Sequence, residues 1–233
     1  ASYEDQRDMF TSYCGVLNSL PTDAVTKITI YNRRLNSSDF QHSVLMQERG
    51  DTMDKYRREY NQVLMEKASA SNNLIQDKYI TVSVARKNAD EARAFFHRVD
   101  ADLSKNLGRL DSGAKALDAY ERLRIFHDFF RPGEEQFYKF DLGETMRLGR
   151  SFKDCIAPDG MKFLADHFEL GSKVGRVLFM RDYSSYIKDD MITSLADFPR
   201  PLVLSIDLLP VPTDEAVRDV QSQIMGIESD ITR

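Results

Sequence analysis

Cysteine is nearly missing from this chain, with only Cys14 and Cys155 among 233 residues. Two thiols in unrelated settings argue against a disulfide framework or a thiolate metal cluster, and they point to a reducing, cytoplasmic setting. Tryptophan is absent. Histidine is scarce: His42, His97, His127 and His167 stand singly, with no H-E-x-x-H or C-x-x-C spacing, so no metal site is expected. No apolar run approaches the roughly 20 residues of a membrane-spanning helix. The opening residues, Ala1-Ser2-Tyr3-Glu4-Asp5, are polar and acidic and do not read as a signal peptide. An excess of positive charge is lacking too. The formal net charge is −5, which weighs against a general affinity for nucleic acid, because phosphate binding needs clustered Lys and Arg.

Hydrophobic residues make up 42% of the chain and charged residues 30%, a balance that can bury a core and differs from disordered sequences. The length fits one large domain or two small ones. A helix is predicted over 3–17 and a strand over 25–33. A long helix over 51–76 carries Met53, Tyr56, Tyr60, Val63 and Leu64 along one side. In the strand predicted over 78–85, Ile80, Val82 and Val84 alternate with Tyr79, Thr81 and Ser83, the mark of one buried face. A helix from Ala89 places Ala92, Phe96, Val99, Leu103, Leu107 and Leu110 on its core stripe, and another spans 113–130.

Arg131-Pro132-Gly133-Glu134-Glu135 interrupts this series and marks a boundary. Beyond it, short strands at 155–156 and 162–168 flank a Pro158-Asp159-Gly160 turn. A strand over 175–183, a short helix over 189–196, a strand over 201–209 and a closing helix follow. Strand, helix, strand, helix thus occurs within 25–110 and again within 175–233. The expected fold is α+β: two small mixed α/β sandwich subdomains, residues 1–131 and 137–233, each with helices packed on one face of its sheet.

The closing helix gives the sharpest signal. Pro210-Val211-Pro212-Thr213-Asp214-Glu215 opens it with prolines, a threonine N-cap and two first-turn acids. Val217, Val220, Ile224, Ile227 and Ile231 then recur at spacings of three, four, three and four. No Gly, Asn or Pro stop follows Ile231, so the stripe is expected to continue in a longer protein and to pack toward a further domain.

Residues with chemical potential form no reaction centre. Gly171-Ser172-Lys173 has the wrong order for a P-loop, which needs G-x-x-x-x-G-K-[ST] so that backbone amides reach the phosphates. Leu202-Val203-Leu204-Ser205-Ile206-Asp207 looks superficially like the apolar strand whose terminal acid positions magnesium, but its alternation is that of a half-buried strand. No catalytic residue and no cofactor is therefore assigned to this chain. Ser184 and Ser185 lack a nucleophile elbow. Glu134-Glu135 and Asp189-Asp190 read as a linker and a helix start. His127-Asp128 and Asp166-His167 put acid beside imidazole, where adjacent side chains are expected to point apart. Arg147, Arg150 and Lys153 form a small basic patch, read as a solvated loop.

Partner binding is the strongest candidate. In 120–131, Leu123, Phe126 and Phe130 lie on one helical stripe and Ile125 and Phe129 on a second. One helix on one sheet buries one stripe, so the surplus aromatics are candidates to meet another protein surface. Leu123, Ile125, Phe126, Phe129, Phe130, Val217, Ile224 and Ile231 are the candidate partner-facing residues. A rival reading is a free-standing small-molecule enzyme or ligand-binding protein, with its site between the two subdomains. A third, ranked last, is a single-stranded DNA platform using Tyr31 and Tyr79.

Ordered segments across the chain also carry a resemblance. They are Lys27-Ile28-Thr29-Ile30-Tyr31-Asn32-Arg33-Arg34-Leu35-Asn36, Tyr56-Arg57-Arg58-Glu59-Tyr60-Asn61, Asp77-Lys78-Tyr79-Ile80-Thr81, and Glu121-Arg122-Leu123-Arg124-Ile125-Phe126-His127-Asp128-Phe129-Phe130. Arg181-Asp182-Tyr183-Ser184-Ser185-Tyr186-Ile187-Lys188 and the run from Leu202 to Val217 complete the set. Together they resemble the amino-terminal region of the TrbE/CagE/VirB-type conjugation ATPases of type IV secretion systems, in their Gram-positive mobile-element branch. The resemblance implies a cytoplasmic motor peripheral to the inner face of the cell membrane. ATP and magnesium would bind in a downstream P-loop domain. The region at hand would dock to other secretion subunits, to its own motor domain and to further copies in a homo-oligomer.

Overall fold

The computed structural model describes residues 2–34, 44–70, 74–182 and 190–231. Among these, the elements run α1 (Tyr3–Asn18), β1 (Val25–Arg34), α2 (Asp54–Ala70), β2 (Leu74–Ser83), α3 (Ala89–Gly108) and α4 (Ala119–Phe130). A 3-10 turn (Glu135–Phe137), α5 (Leu142–Arg147), a second 3-10 turn (Phe152–Cys155), β3 (Met161–Phe163), β4 (Phe168–Leu170) and β5 (Lys173–Gly175) follow. The chain closes with α6 (Asp190–Ala196), β6 (Leu202–Leu208) and α7 (Thr213–Ile231). The fold is α+β with two small three-stranded sheets, as expected.

The sheets are assembled differently from the repeat read in the sequence. One has the order β2-β1-β6, so β6 joins strands from the opening third of the chain. The other, β3-β4-β5, is a local antiparallel meander in which Phe163 pairs with Phe168 and Phe168 with Gly175. The strand expected over 175–183 is not formed over 176–182: β5 covers Lys173–Gly175 and ends where that strand should begin, and Tyr183 lies outside the described residues. The physical reason lies in the register. β4 is three residues long, so a strand running past Gly175 finds only the β3–β4 turn beside it and no backbone to pair with.

Two compact units interleave along the chain. The first comprises 1–31, 76–116 and 202–233; the second comprises 32–75 and 117–201. The seam read from sequence at 131–137 therefore falls inside the second unit. There Arg131 acts as a staple: its guanidinium meets Glu134 at 2.7 Å and Asp159 at 2.9 Å, and donates to the Ala157 carbonyl at 3.2 Å. A Pro-Gly turn reads as punctuation, but here an arginine in front of it ties both sides together.

In the first unit, α1 starts on a Ser2–Asp5 capping box and packs against α3. The small core gathers Val16, Leu20, Ala24 and Phe95. The Arg86 guanidinium covers the Phe95 ring at 4.3 Å and reaches Asp23 at 2.5 Å. Phe95, not the expected Phe96, is thus the buried aromatic of α3. Ala92, Phe95 and Val99 satisfy helical spacing as well as Ala92, Phe96 and Val99 do, so periodicity alone could not choose. In β6, Leu202, Leu204, Ile206 and Leu208 are half-buried while Ser205 and Asp207 face out, as expected. Asp207 meets Lys27 of β1 at 3.3 Å. Along β2 and the residue after it the expected alternation holds only at the far end: Val82 and Val84 are half-buried and Ser83 is exposed, whereas Ile80 is exposed and Tyr79 and Thr81 are half-buried.

The second unit turns α2 the other way round as well. Met53, Tyr56, Tyr60 and Val63 face water, while buried Asp54 and half-buried Arg57, Asn61 and Leu64 face inward. Hydrogen bonds made that choice. The Asp54 carboxylate accepts from the Arg49 and Gly50 amides at 3.0 and 2.7 Å and also pairs with Arg57, which grips Asp51 with both nitrogens. Asn61 exchanges two 2.8 Å bonds with the backbone of Met46. At the other end of the unit, the Asn32 amide donates to the Ala196 carbonyl.

Candidate interaction surface

Helix α4 is positioned from its first residue. Asp118 accepts from the Glu121 amide at 2.8 Å and Glu121 accepts from the Asp118 amide at 3.1 Å, a reciprocal cap that fixes where the helix starts. With that start, Leu123 and His127 fall on the buried side, at 9% and 3% exposure. Ile125, Phe129 and Phe130 are half-buried, and Phe126 faces water. Leu123 is therefore a core residue and is withdrawn from the partner-facing set. One turn away, Phe126 remains in it.

Around His127 sits a polar knot inside the second unit. Its Nδ1 lies 3.3 Å from Asp128 Oδ1, and its ring stacks at a tilt on Tyr138, with centroids 5.1 Å apart. Tyr138 donates its hydroxyl to the Tyr120 carbonyl at 2.7 Å. Burial pushes the Asp128 carboxyl above the usual carboxylate range, against the opposing pull of His127 and Arg124. Burial, then the neighbouring Cys155 and Tyr120, push the Tyr138 phenol up to about 12. Burial likewise raises the Cys155 thiol, which makes it a poorer nucleophile than a free cysteine.

Adjacent acid and imidazole do meet in this protein, contrary to expectation. His167 Nδ1 lies 2.7 Å from Asp166 Oδ1 in the β3–β4 turn, as His127 lies near Asp128 on α4. Successive helical residues are about 100° apart rather than opposed, and Nδ1 is the ring nitrogen nearest the backbone. A short Asp arm closes that gap. Tyr138 was not legible as part of the knot, because its partner stands 18 residues upstream and no periodicity connects them.

Helix α7 carries an open apolar surface. Val217, Val220, Ile224 and Ile227 all lie on one stripe and are 48% to 60% exposed. Thr213 is the first helical residue rather than the cap. The Pro212 carbonyl accepts the Glu215 and Ala216 amides, each at 3.0 Å. Ile231 is the last residue of the helix, and its side chain lies outside the described residues. Water-exposed apolar stripes recur on α1 (Met9, Phe10, Tyr13) and α2.

Other sequence candidates resolve simply. Gly171-Ser172 is the tight turn between β4 and β5, with Gly171 at φ +55°. Arg147, Arg150 and Lys153 are exposed, and none forms an ion pair with another described residue. No group of three or more His, Cys, Asp or Glu side chains among the described residues is arranged to hold a metal ion. Ser184, Ser185 and His42 lie outside the described residues. No described helix is long and apolar enough to cross a membrane. No protein-family model matches this chain, and no curated protein matches it.

Proposed function

We propose that this chain is the non-catalytic amino-terminal docking and assembly region of a type IV secretion ATPase that serves conjugative DNA transfer. The observation that carries the reading is the aliphatic stripe of α7, open to water along Val217, Val220, Ile224 and Ile227. A helix of this length draws most of its stability from packing its apolar face. An aliphatic face left in water is a surface waiting for another. The resemblance of the chain's ordered segments to that family supplies the identity of the covering surface. It is the protein's own motor domain, with secretion subunits at the inner membrane and further copies meeting the remaining faces.

In this reading ATP and magnesium belong to the downstream P-loop domain, and the region described here performs no hydrolysis. It works in the cytoplasm, peripheral to the inner face of the membrane. Hydrogen exchange tests the reading: α7 amides should exchange markedly more slowly in the parent protein than in the 233-residue chain. Equal exchange in the two would overturn the docking role of this helix.

The rival reading, a free-standing enzyme or ligand-binding protein, has one observation in its favour. Asp128 is a desolvated acid beside a buried histidine, the kind of pair that general acid–base catalysis uses. Its site would then lie within the second unit, at the carboxyl end of α4.

A further inference from the structure

Helix α7 carries a narrower apolar stripe than a helix packed on a sheet needs. With Val217 written as position a of a heptad abcdefg, Val220, Ile224, Ile227 and Ile231 fall at d, a, d and a. Positions e hold Asp214, Gln221 and Glu228, and positions g hold Ala216, Gln223 and Asp230. A surface helix of a globular domain usually extends its apolar face to e or g, whereas a stripe confined to a and d is a coiled-coil seam. Every seam residue here is β-branched, with few rotamers to lose when side chains interdigitate. From Thr213 to Ile227 each residue is exposed except half-buried Ala216, so the first unit leaves the described seam open.

The flanks of the seam are acidic. Asp214, Glu228 and Asp230 stand at e and g, where there is no Lys or Arg. Arg218, at b, turns back onto Asp214 at 2.9 Å, and Arg233 follows the helix in sequence. Asp214 therefore has its cation already, and the acidic flank is the stretch of Glu228 and Asp230. Their positions follow from the helix register, since the side chains of 228–231 lie outside the described residues.

We propose that α7 is one strand of a coiled coil, and that its partner is an amphipathic helix with an aliphatic a/d seam and Lys or Arg facing Glu228 and Asp230. The proposal rests on the docking reading of α7 and specifies what docks there. A second copy fits less well. The e and g residues are acids, Gln and Ala, so self-pairing forms no opposite-charge contact along the seam. A lipid surface fits less well too, because interfacial helices carry Lys and Arg on the polar face, and this one carries mainly acids.

Two synthetic three-heptad peptides test this, alike in an aliphatic a/d seam, one with Lys and one with Glu at every e and g. The Lys peptide should bind the 233-residue chain and gain helix on mixing, and added salt should weaken it. The Glu peptide should bind about tenfold more weakly or worse. Glu228→Lys with Asp230→Lys should reverse that preference. Ile224→Asp should lower affinity for the Lys peptide by about tenfold or more, while Met225→Gln, at b, should leave it unchanged. Ile224 and Met225 are exposed, so the far-ultraviolet circular dichroism of these variants should match the parent's. No binding of the Lys peptide, or equal binding of both peptides, would overturn the proposal. A chain that alone sediments as an oligomer, dispersed by Ile224→Asp, would overturn it in favour of a second copy. Either failure would leave slow exchange of α7 in the parent protein, the test of docking itself, untouched.

Discussion

The ring of Phe168 lies across Gly175, so that a Cβ built on residue 175 would sit 2.2 Å from the ring Cζ. The two residues face each other across the β4–β5 ladder. An aromatic laid over a cross-strand glycine covers a gap that would otherwise weaken the strand.

Gly175→Ala should therefore force the ring away and destabilise the second unit by about 1–3 kcal/mol, the usual range for overpacking. Chemical denaturation provides the check. Gly160→Ala, where an added Cβ meets nothing within 4 Å, is the control and should be silent. In a Phe168→Ala background the cost of Gly175→Ala should largely vanish, since the clash has gone.

The turn into α2 should make the second unit acid-sensitive. Hydrogen bonding from Arg57 holds the Asp51 carboxyl below its ordinary value of 3.8, and amide donation from Arg49 does the same for Asp54. A folded value below the unfolded one means that the stabilisation is complete above 3.8 and is lost as pH falls through the lowered values. Arg57→Met should lower the unfolding midpoint at neutral pH and flatten its dependence on the acid side. An unchanged acid-side slope would contradict the assignment.

Asp128 should act in the opposite sense. Burial raises its carboxyl above 3.8, so the folded state binds the proton more tightly than the unfolded state. Its contribution is fully present below 3.8 and is lost as pH rises through the folded value. Asp128→Asn should remove that loss, giving a flatter stability profile on the upper side of the carboxylate range. Thermal unfolding of the two proteins across pH would show it.

Thr26 offers a gain. It is fully buried at 0% exposure, and its hydroxyl has no hydrogen-bond partner among the described residues. Thr26→Val keeps the shape and removes the unsatisfied group, so stability should rise by about 1 kcal/mol. A loss of similar size in a denaturant titration would show that the hydroxyl is satisfied after all.

Where local rules acted alone, the sequence was a good guide. The limits of α1, β1, α3, α6 and β6 agree with expectation to within a residue or two, because caps and alternation set them. It failed where specific hydrogen-bond pairing decided, even between residues close in sequence. Nothing near Asp54 announces that the Arg49 and Gly50 amides and Arg57 will turn the aromatic side of α2 outward. Nothing in 175–183 reveals that β4 is too short to extend the ladder. The surface follows the same pattern. The stripe of α7 was legible from spacing alone, whereas spacing put Leu123 and Phe126 on one stripe of α4 and did not separate buried Leu123 from exposed Phe126.

The account rests most heavily on α7 being covered by a further domain, and the parent reading frame beyond Arg233 tests this directly. The account predicts that the coding sequence runs on and reaches a G-x-x-x-x-G-K-[ST] motif after a strand. A stop codon within a turn or two of Arg233 would contradict it, and the His127–Asp128 pair would then become the leading functional site.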